Sequence, residues 1–374
     1  MKNGYRVTMN INTILSEVEK GKELASDELL HLMEAINHGA EILALADSLN
    51  REVNHNTVTF VHNRNINYTN ICRNNCLFCG FRRSGTEADS FILTIDEILE
   101  KIASTPGITE VCLQGGIMSG LRFAYILEML PAIKAAYPEL HLHAFSPMEI
   151  KYFSLISESS ISLVISQLMQ YELGSIPGTA AEILDDRLRQ AICPGKLTTL
   201  EWIDIITTAH RMGLKSTATI LLGHIETPRQ IVRHMEIIRD IQKQTGGFTE
   251  FIPLIFVPYG TILGKRFDIS EILPFHKVQR FYALCRIYFH RWIPNIQSSW
   301  PKLGLENAVK CLSAGVNDLG GTLYEENITR NAGGTFGQKV SLNEFREQVL
   351  KAGKTPRLRD TLYNPLPDYV QTPV

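Results

Sequence analysis

Asn65-Ile-Asn-Tyr-Thr-Asn-Ile-Cys72-Arg-Asn-Asn-Cys76-Leu-Phe-Cys79-Gly-Phe81 is the stretch on which the reading of this chain turns. It sets three cysteines at C-x3-C-x2-C spacing directly after a β-rich run over residues 58–68. Thiolates this close can wrap around one inorganic centre. A structural zinc site takes four protein ligands in paired units, and no fourth cysteine or close histidine completes such a set here. A four-iron cluster with only three cysteines keeps one iron free, able to bind a small molecule rather than merely pass electrons. The loop therefore reads as an open iron-sulfur site rather than a zinc knot.

Outward from this loop, β-rich runs recur at 58–68, 110–114, 140–145, 173–176, 215–222, 248–257, 293–298 and 317–323, separated by stretches of helical spacing. Parallel neighbours need helical crossovers, and eight such units close a sheet, so the expected fold is an α/β TIM-type (β/α)8 barrel. Two doubly wound domains are the structural alternative. On a barrel, a loop following a strand lies on the face where chemistry is done. Thr94 with Glu97, Thr198 with Glu201, Thr227 with Gln230 and Ser341 with Glu344 match the capping box that opens a helix, and Pro228 suits a first helical position. After Glu271, the residues Val278, Phe281, Tyr282, Cys285, Tyr288, Phe289 and Trp292 form one apolar stripe, as on a helix against a sheet. The organisation expected is an N-terminal helical cap over 1–56, a barrel over 57–330, and a C-terminal helical extension and tail over 331–374. No linker rich in Gly or Ser marks an independent second domain.

Composition bounds the function. The 374 residues carry 37 Lys and Arg against 39 Asp and Glu, a net charge of −2, which argues against a nucleic-acid surface spread over the chain. With 44% hydrophobic and 20% charged residues the chain is able to bury a large core. Apolar runs stop short of the roughly 20 residues of a membrane helix, and MKNGYRVTMN lacks a signal-peptide apolar stretch, so the expectation is a cytoplasmic protein with no membrane partner. Seven cysteines, an odd number with three in one loop, suit a reducing compartment and exclude a secreted disulfide scaffold. Cys112, Cys193, Cys285 and Cys311 lie among apolar neighbours and read as small core residues.

The cysteine loop, with Phe78 before its last cysteine, resembles that of radical S-adenosylmethionine enzymes. The segments NRNINYTNIC, ITEVCLQGG, PGTAAEILDD, GHIETP, TGGFTEFIPL, NDLGGTL and KTPRLRDTLY, in order from about 58 to 363, resemble the family that joins the 4-hydroxyphenyl group of tyrosine to 5-amino-6-(D-ribitylamino)uracil. That resemblance implies one 4Fe-4S cluster on Cys72, Cys76 and Cys79, with S-adenosylmethionine as cosubstrate. It implies reductive cleavage to methionine and a 5′-deoxyadenosyl radical, rupture of the tyrosine Cα–Cβ bond with release of a two-carbon imine, and delivery of a 4-hydroxybenzyl fragment to C5 of the uracil. The product would be the precursor that a sister radical enzyme cyclises to 8-hydroxy-5-deazaflavin in coenzyme F420 biosynthesis. The implied partners are that sister enzyme and a reduced ferredoxin or flavodoxin. With one cysteine loop, the chain is expected to be the tyrosine transferase half alone.

The resemblance also suggests roles for other residues. Phe78, Gly115, Gly116 and Glu182 are the expected cofactor-binding set: the glycines admit the amino group of S-adenosylmethionine, and Glu182 accepts its ribose hydroxyls. A tight turn and a helix-opening acid are the structural alternatives. His224 and Glu226, past the fifth candidate strand, are expected to orient tyrosine or move a proton, with a structural histidine as the alternative. Asp318 joins them as a catalytic candidate, while Asn295, Gln297 and Asn317 offer polar groups to the uracil; hydrogen bonding of the barrel mouth is the alternative. Two departures stand out: Ile117-Met-Ser-Gly occurs where relatives commonly show a proline, and 160–171 is more apolar than its usual counterpart. A menaquinone-pathway enzyme acting on a futalosine-type nucleoside shares the cysteine opening, but the last three segments favour the tyrosine transferase. A non-enzymatic electron carrier usually fixes every iron with protein ligands.

Replacing Cys72, Cys76 or Cys79 by Ala is expected to abolish S-adenosylmethionine cleavage and to lower bound iron. Cys112→Ala and Cys311→Ala are expected to leave iron content unchanged. Full cleavage by Cys76→Ala would overturn the cluster assignment.

Overall fold

In the computed structural model, which describes residues 10–367, the run expected as one strand over 58–68 is two. The strands β1 (Thr57–Val61) and β2 (Asn63–Thr69) part at His62 and enter different sheets. From β2 a parallel sheet of six strands continues in chain order through β3 (Glu110–Gly115), β4 (His141–Ala144), β5 (Leu173–Ile176), β6 (Lys215–Leu222) and β7 (Phe248–Ile255). The strand β1 sits between β8 (Asp318–Gly321) and β9 (Thr355–Arg359), parallel to both. Closure is irregular. Single parallel bridges, Phe251 to Ile296, Gln297 to Asp318 and Arg64 to Tyr324, join the two sheets. The fold is thus a partial TIM-type α/β barrel.

Two expectations are corrected. The seventh candidate strand, 293–298, contributes only the bridges at Ile296 and Gln297: its backbone bonds Phe251 on one side and Asp318 on the other, while Ile296 N–H turns to the Asn317 side chain. Conversely, β9 was not foreseen in KTPRLRDTLY, where Pro356 argues against a central strand; the strand lies at a sheet edge, where proline is tolerated. All four expected capping boxes form, at Thr94, Thr198, Thr227 and Ser341, and Pro228 stands in the first turn of its helix. A further box, Ser146 with Glu149, opens the helix Pro147–Ile156.

The N-terminal helices Ile11–Glu19, Ser26–Glu34 and Gly39–Asn54 pack outside the barrel. Ser26 Oγ donates to Glu236 at 3.1 Å, and Arg239 Nη1 donates to the Leu24 carbonyl at 2.6 Å while its guanidinium stacks 3.8 Å from the Tyr288 ring. The stripe on Phe275–Phe289 is buried as expected, Trp292 lying past the helix end. In the apolar stretch 160–171, Val164, Ile165 and Leu168 are core residues. Among the described residues no helix is long and apolar enough to cross a membrane. The readings of residues 1–9 and 368–374 lie outside the described residues.

From the expected C-terminal extension, β9 pairs with β1, and the helix Leu342–Lys351 stacks Phe345 on Phe60 with ring centroids 5.3 Å apart. Both rings are fully buried. Phe345→Ala is expected to lower stability by about 3–5 kcal/mol, read as a shift in anaerobic urea unfolding.

Candidate functional site

Side chains alternate across a strand, so every second residue of the barrel strands faces the lumen. On β2 these are Asn63, Asn65 and Asn67; on β3, Glu110, Cys112 and Gln114; on β7, Glu250, Ile252 and Leu254. They line a cavity of about 410 Å³. Cys72, Cys76, Cys79 and Phe78 line the same cavity at the C-terminal ends of the strands. The cysteine loop is held by its backbone: Arg73 N–H donates to the Ile117 carbonyl at 2.8 Å, Leu77 N–H to Ile192 at 2.8 Å, and Cys72 N–H to Arg83 at 2.9 Å. Burial raises the Cys76 thiol, with Lys196 opposing the rise. The three cysteines of one loop line one cavity, although among the described residues no three His, Cys, Asp or Glu side chains are gathered closely enough to hold a single metal ion.

Gly115 and Gly116 line the cavity too, but the room they leave is filled by the protein. A Cβ on Gly116 would stand 2.2 Å from the Ile71 carbonyl oxygen, and one on Gly115 2.3 Å from the Tyr68 ring. The glycines thus let the end of β3 close against the cysteine loop, leaving backbone on the cavity side. Glu149 locks this corner, accepting from Tyr68 Oη at 2.7 Å and from Gly115 N–H at 2.9 Å; burial raises its pKa. Glu182 lies at φ 38°, in the left-handed region, and its carbonyl accepts from Leu221 N–H at 2.7 Å. Its Oε1 accepts from Lys196 Nζ at 2.6 Å, whereas Oε2 is buried with no hydrogen-bond partner, 3.8 Å from Arg189. That orphaned oxygen, on a cavity wall, fits a ligand hydroxyl.

The three expected catalytic residues do not line the cavity. Gly223, at φ 93°, turns the chain back after β6, so Glu226 folds onto the N–H groups of Gly223 at 2.6 Å and His224 at 2.8 Å. His224 is buried beside it, with Nε2 3.1 Å from the Leu221 carbonyl and Nδ1 3.1 Å from Glu226. Burial lowers its pKa, while Glu226 and the Leu221 carbonyl oppose the drop. The pair braces a turn. Asp318 is wholly buried and bound by Arg359 through Nε at 2.6 Å and Nη2 at 3.0 Å, by Gly320 N–H at 2.7 Å and by Thr59 Oγ1 at 2.5 Å.

Among the expected uracil-binding residues only Gln297 lines the cavity. Asn295 donates to the Thr249 carbonyl and accepts from Asn317, both at 2.9 Å. Asn317 Oδ1 accepts from Ile296 N–H at 2.9 Å and from Arg286 Nη2 at 2.8 Å. These amides brace the short seventh segment, whose own backbone bonds Phe251 and Asp318 on its two sides.

Sequence reasoning missed the lumen floor. Glu110 Oε1 accepts from Asn63 Nδ2 at 2.6 Å and from Cys112 Sγ at 3.1 Å. Cys112 is therefore not among apolar neighbours, as expected, but in a polar cluster on the cavity wall. Tyr363 Oη donates to Glu250 Oε2, while the Arg359 guanidinium stacks 3.9 Å from the Tyr363 ring. Burial pushes Glu250 up to about 7 although Arg359 opposes it, and burial pushes His143 down to about 4. Asparagine at every second position of NRNINYTN, and Glu-x-Cys-x-Gln in the next strand, were the available signals.

Residues 66–238 match the radical SAM superfamily and residues 245–372 the CofH/MqnC C-terminal region. The 5-amino-6-(D-ribitylamino)uracil–L-tyrosine 4-hydroxyphenyl transferase 1 of Methanosarcina mazei is 44% identical over 355 residues, 94% of this chain and 92% of its own. The transferase of that name from Methanopyrus kandleri is 46% identical over 314 residues, covering 83% and 85%. The one from Methanothermobacter thermautotrophicus is 41% identical, covering 96% and 100%. Among solved structures, methylornithine synthase superposes with a TM-score of 0.70 at 16% identity, over 92% of this chain and 97% of its own. The FeFe-hydrogenase maturase HydG of Carboxydothermus hydrogenoformans gives 0.74 at 17%, covering 94% and 80%. The two share the fold.

His143 yields a pH test. Its neutral form is favoured on folding, so its contribution is present above the unfolded value of 6.5 and lost as pH falls through about 4. Acidification across that window is expected to cost up to about 3 kcal/mol through this group. Urea unfolding at several pH values is expected to show a shallower acid loss in His143→Asn than in the wild type.

Proposed function

The chain belongs to the radical S-adenosylmethionine superfamily and, within it, to the 5-amino-6-(D-ribitylamino)uracil–L-tyrosine 4-hydroxyphenyl transferases, and on that premise we propose how its residues serve the transfer. The reaction moves the 4-hydroxybenzyl fragment of L-tyrosine to 5-amino-6-(D-ribitylamino)uracil, giving the precursor of 7,8-didemethyl-8-hydroxy-5-deazariboflavin. The observation that carries this reading is identity of 40–46% along most of both chains with relatives of that name.

When bound, a 4Fe-4S cluster and S-adenosylmethionine supply radical initiation by one-electron reduction. Cys72, Cys76 and Cys79 hold the cluster, in line with their shared loop and cavity. Glu182 Oε2 receives the ribose hydroxyls, while Lys196 holds the carboxylate in place through Oε1. Phe78, Gly115 and Gly116 wall the cofactor. Lys302 also lines the cavity and makes no ion pair among the described residues; burial lowers its pKa. Glu326 on the same cavity wall attracts it without closing an ion pair, and an α-carboxylate from tyrosine docks on the ammonium. Ile252, Leu254 and Phe256 form an apolar wall on which the phenol ring rests, excluding water from the reacting bond. His224 and Glu226 serve the turn, and Asp318 positions Arg359.

In this reading residues 1–56 form the cap, 57–330 the barrel and 331–374 an extension that completes the floor. A ferredoxin or flavodoxin donor and the sister deazaflavin-forming enzyme are the functional partners. A cytoplasmic setting suits seven free cysteines.

Anaerobic incubation with tyrosine, the ribitylaminouracil and a reductant is expected to form the coupled product, and its absence would sink the assignment. Glu182→Gln is expected to weaken S-adenosylmethionine about tenfold in equilibrium binding without turnover, at unchanged iron content. His224→Ala is expected to keep the preference for tyrosine over phenylalanine, because the ring does not reach the cavity.

A further inference from the structure

The lumen changes character along its length. At the C-terminal ends of the strands stand the cysteine loop, Gly115 and Glu182, whereas Asn63 and Glu110 are the first residues of β2 and β3, and Glu250 lies near the start of β7. Between Glu110 and Gly115 the strand rises by roughly 16 Å. Above Glu250 the inward residues of β7 turn apolar, as Ile252 and Leu254. The floor is therefore a polar chamber set away from the reacting centre and continuous with it.

Its groups are partly spent on one another and partly open. Arg359 is immobilised on Asp318, and Glu250 Oε2 holds the Tyr363 hydroxyl. Glu250 Oε1, Asn65 Oδ1 and the Gln297 side-chain amide make no hydrogen bond with the described residues. A buried carboxylate and amides, aimed into one cavity with unused acceptors and donors, match a ligand carrying several neutral hydroxyls. Tyrosine matches poorly, since it offers one phenol and a zwitterionic end that wants a cation.

We infer that the lumen floor is a polyol site that takes the ribityl chain of the uracil substrate, read by Glu250, Asn65 and Gln297. This rests on the transferase reading above. The uracil ring has to stay near the cysteine loop, because C5 receives the fragment, and the ribityl chain, which has no reacting atom, then extends down the lumen. Hydroxyls donating to Glu250 Oε1 also relieve the burial that raises this carboxylate to about 7.

The test compares anaerobic binding of 5-amino-6-(D-ribitylamino)uracil and of 5,6-diaminouracil, which lacks the chain, to cluster-loaded protein with S-adenosylmethionine and no reductant. Wild type is expected to prefer the ribityl compound by about 100-fold or more. Glu250→Gln and Gln297→Ala are each expected to weaken the ribityl compound about five- to tenfold and to leave diaminouracil unchanged. Melting and the visible cluster spectrum establish that the variants fold; Gln297, less buried than Glu250, guards against a structural effect of the other. Equal binding of both probes by wild type, equal weakening of both probes in the variants, or no weakening in either variant would overturn the polyol site while leaving the transferase reading intact. Wild type that binds S-adenosylmethionine and tyrosine but neither uracil would instead overturn the transferase reading, and the polyol site with it.

Discussion

Arg359 and Asp318 form the contact on which the closing side of the barrel depends. From β2 to β7 the backbone ladder is continuous, but among the described residues this sheet meets the β8-β1-β9 sheet only through isolated bridges. A carboxylate with no exposed surface is tolerable only when it is fully hydrogen-bonded, and Asp318 receives two guanidinium bonds, a hydroxyl and a backbone N–H. Such a pair adds little net stability, yet removing either partner strands a buried charge. Its effect is placement. It ties the end of β9 to β8 across β1 and brings Arg359 and Tyr363 to Glu250.

The opposite end of the lumen is organised by another buried carboxylate. Glu149 completes the capping box with Ser146, binds the Tyr68 hydroxyl and receives the Gly115 N–H, so one side chain ties β2, β3 and the helix Pro147–Ile156 together. Because Gly115 and Gly116 have no Cβ, Tyr68 and the Ile71 backbone fill the space beside them. The position of the cysteine loop is also set by backbone contacts, from Arg73 N–H to Ile117, Leu77 N–H to Ile192 and Cys72 N–H to Arg83. The lumen thus has a polar floor and, above Glu250, an apolar wall of Ile252 and Leu254.

Reading from sequence succeeded where the signal is local. A capping box needs only residues three apart, and each expected box is present; the three cysteines of the loop line one cavity, as their spacing within eight residues led one to expect. It failed where direction matters. His224 and Glu226 follow a strand end as active residues often do, but Gly223 reverses the chain and turns both inward on the backbone. Cys112 has apolar neighbours on either side in the chain, while on its own face of the strand it meets Glu110, two residues before it, and across the strand pair Asn63.

The sequence by itself determined the alternation of strands and helices, the helix starts, the cysteine loop and the family to which those segments point. These depend on periodicity, capping and spacing, all of them properties of neighbouring residues. Only the tertiary structure decided that the first strand divides at His62, that the amides of Asn295 and Asn317 bond each other behind a seventh segment reduced to two bridges, and that Glu250, Arg359 and Tyr363 meet at the floor. Those contacts join residues far apart in the chain, and their cost or benefit depends on burial. Burial exists only once the barrel has closed.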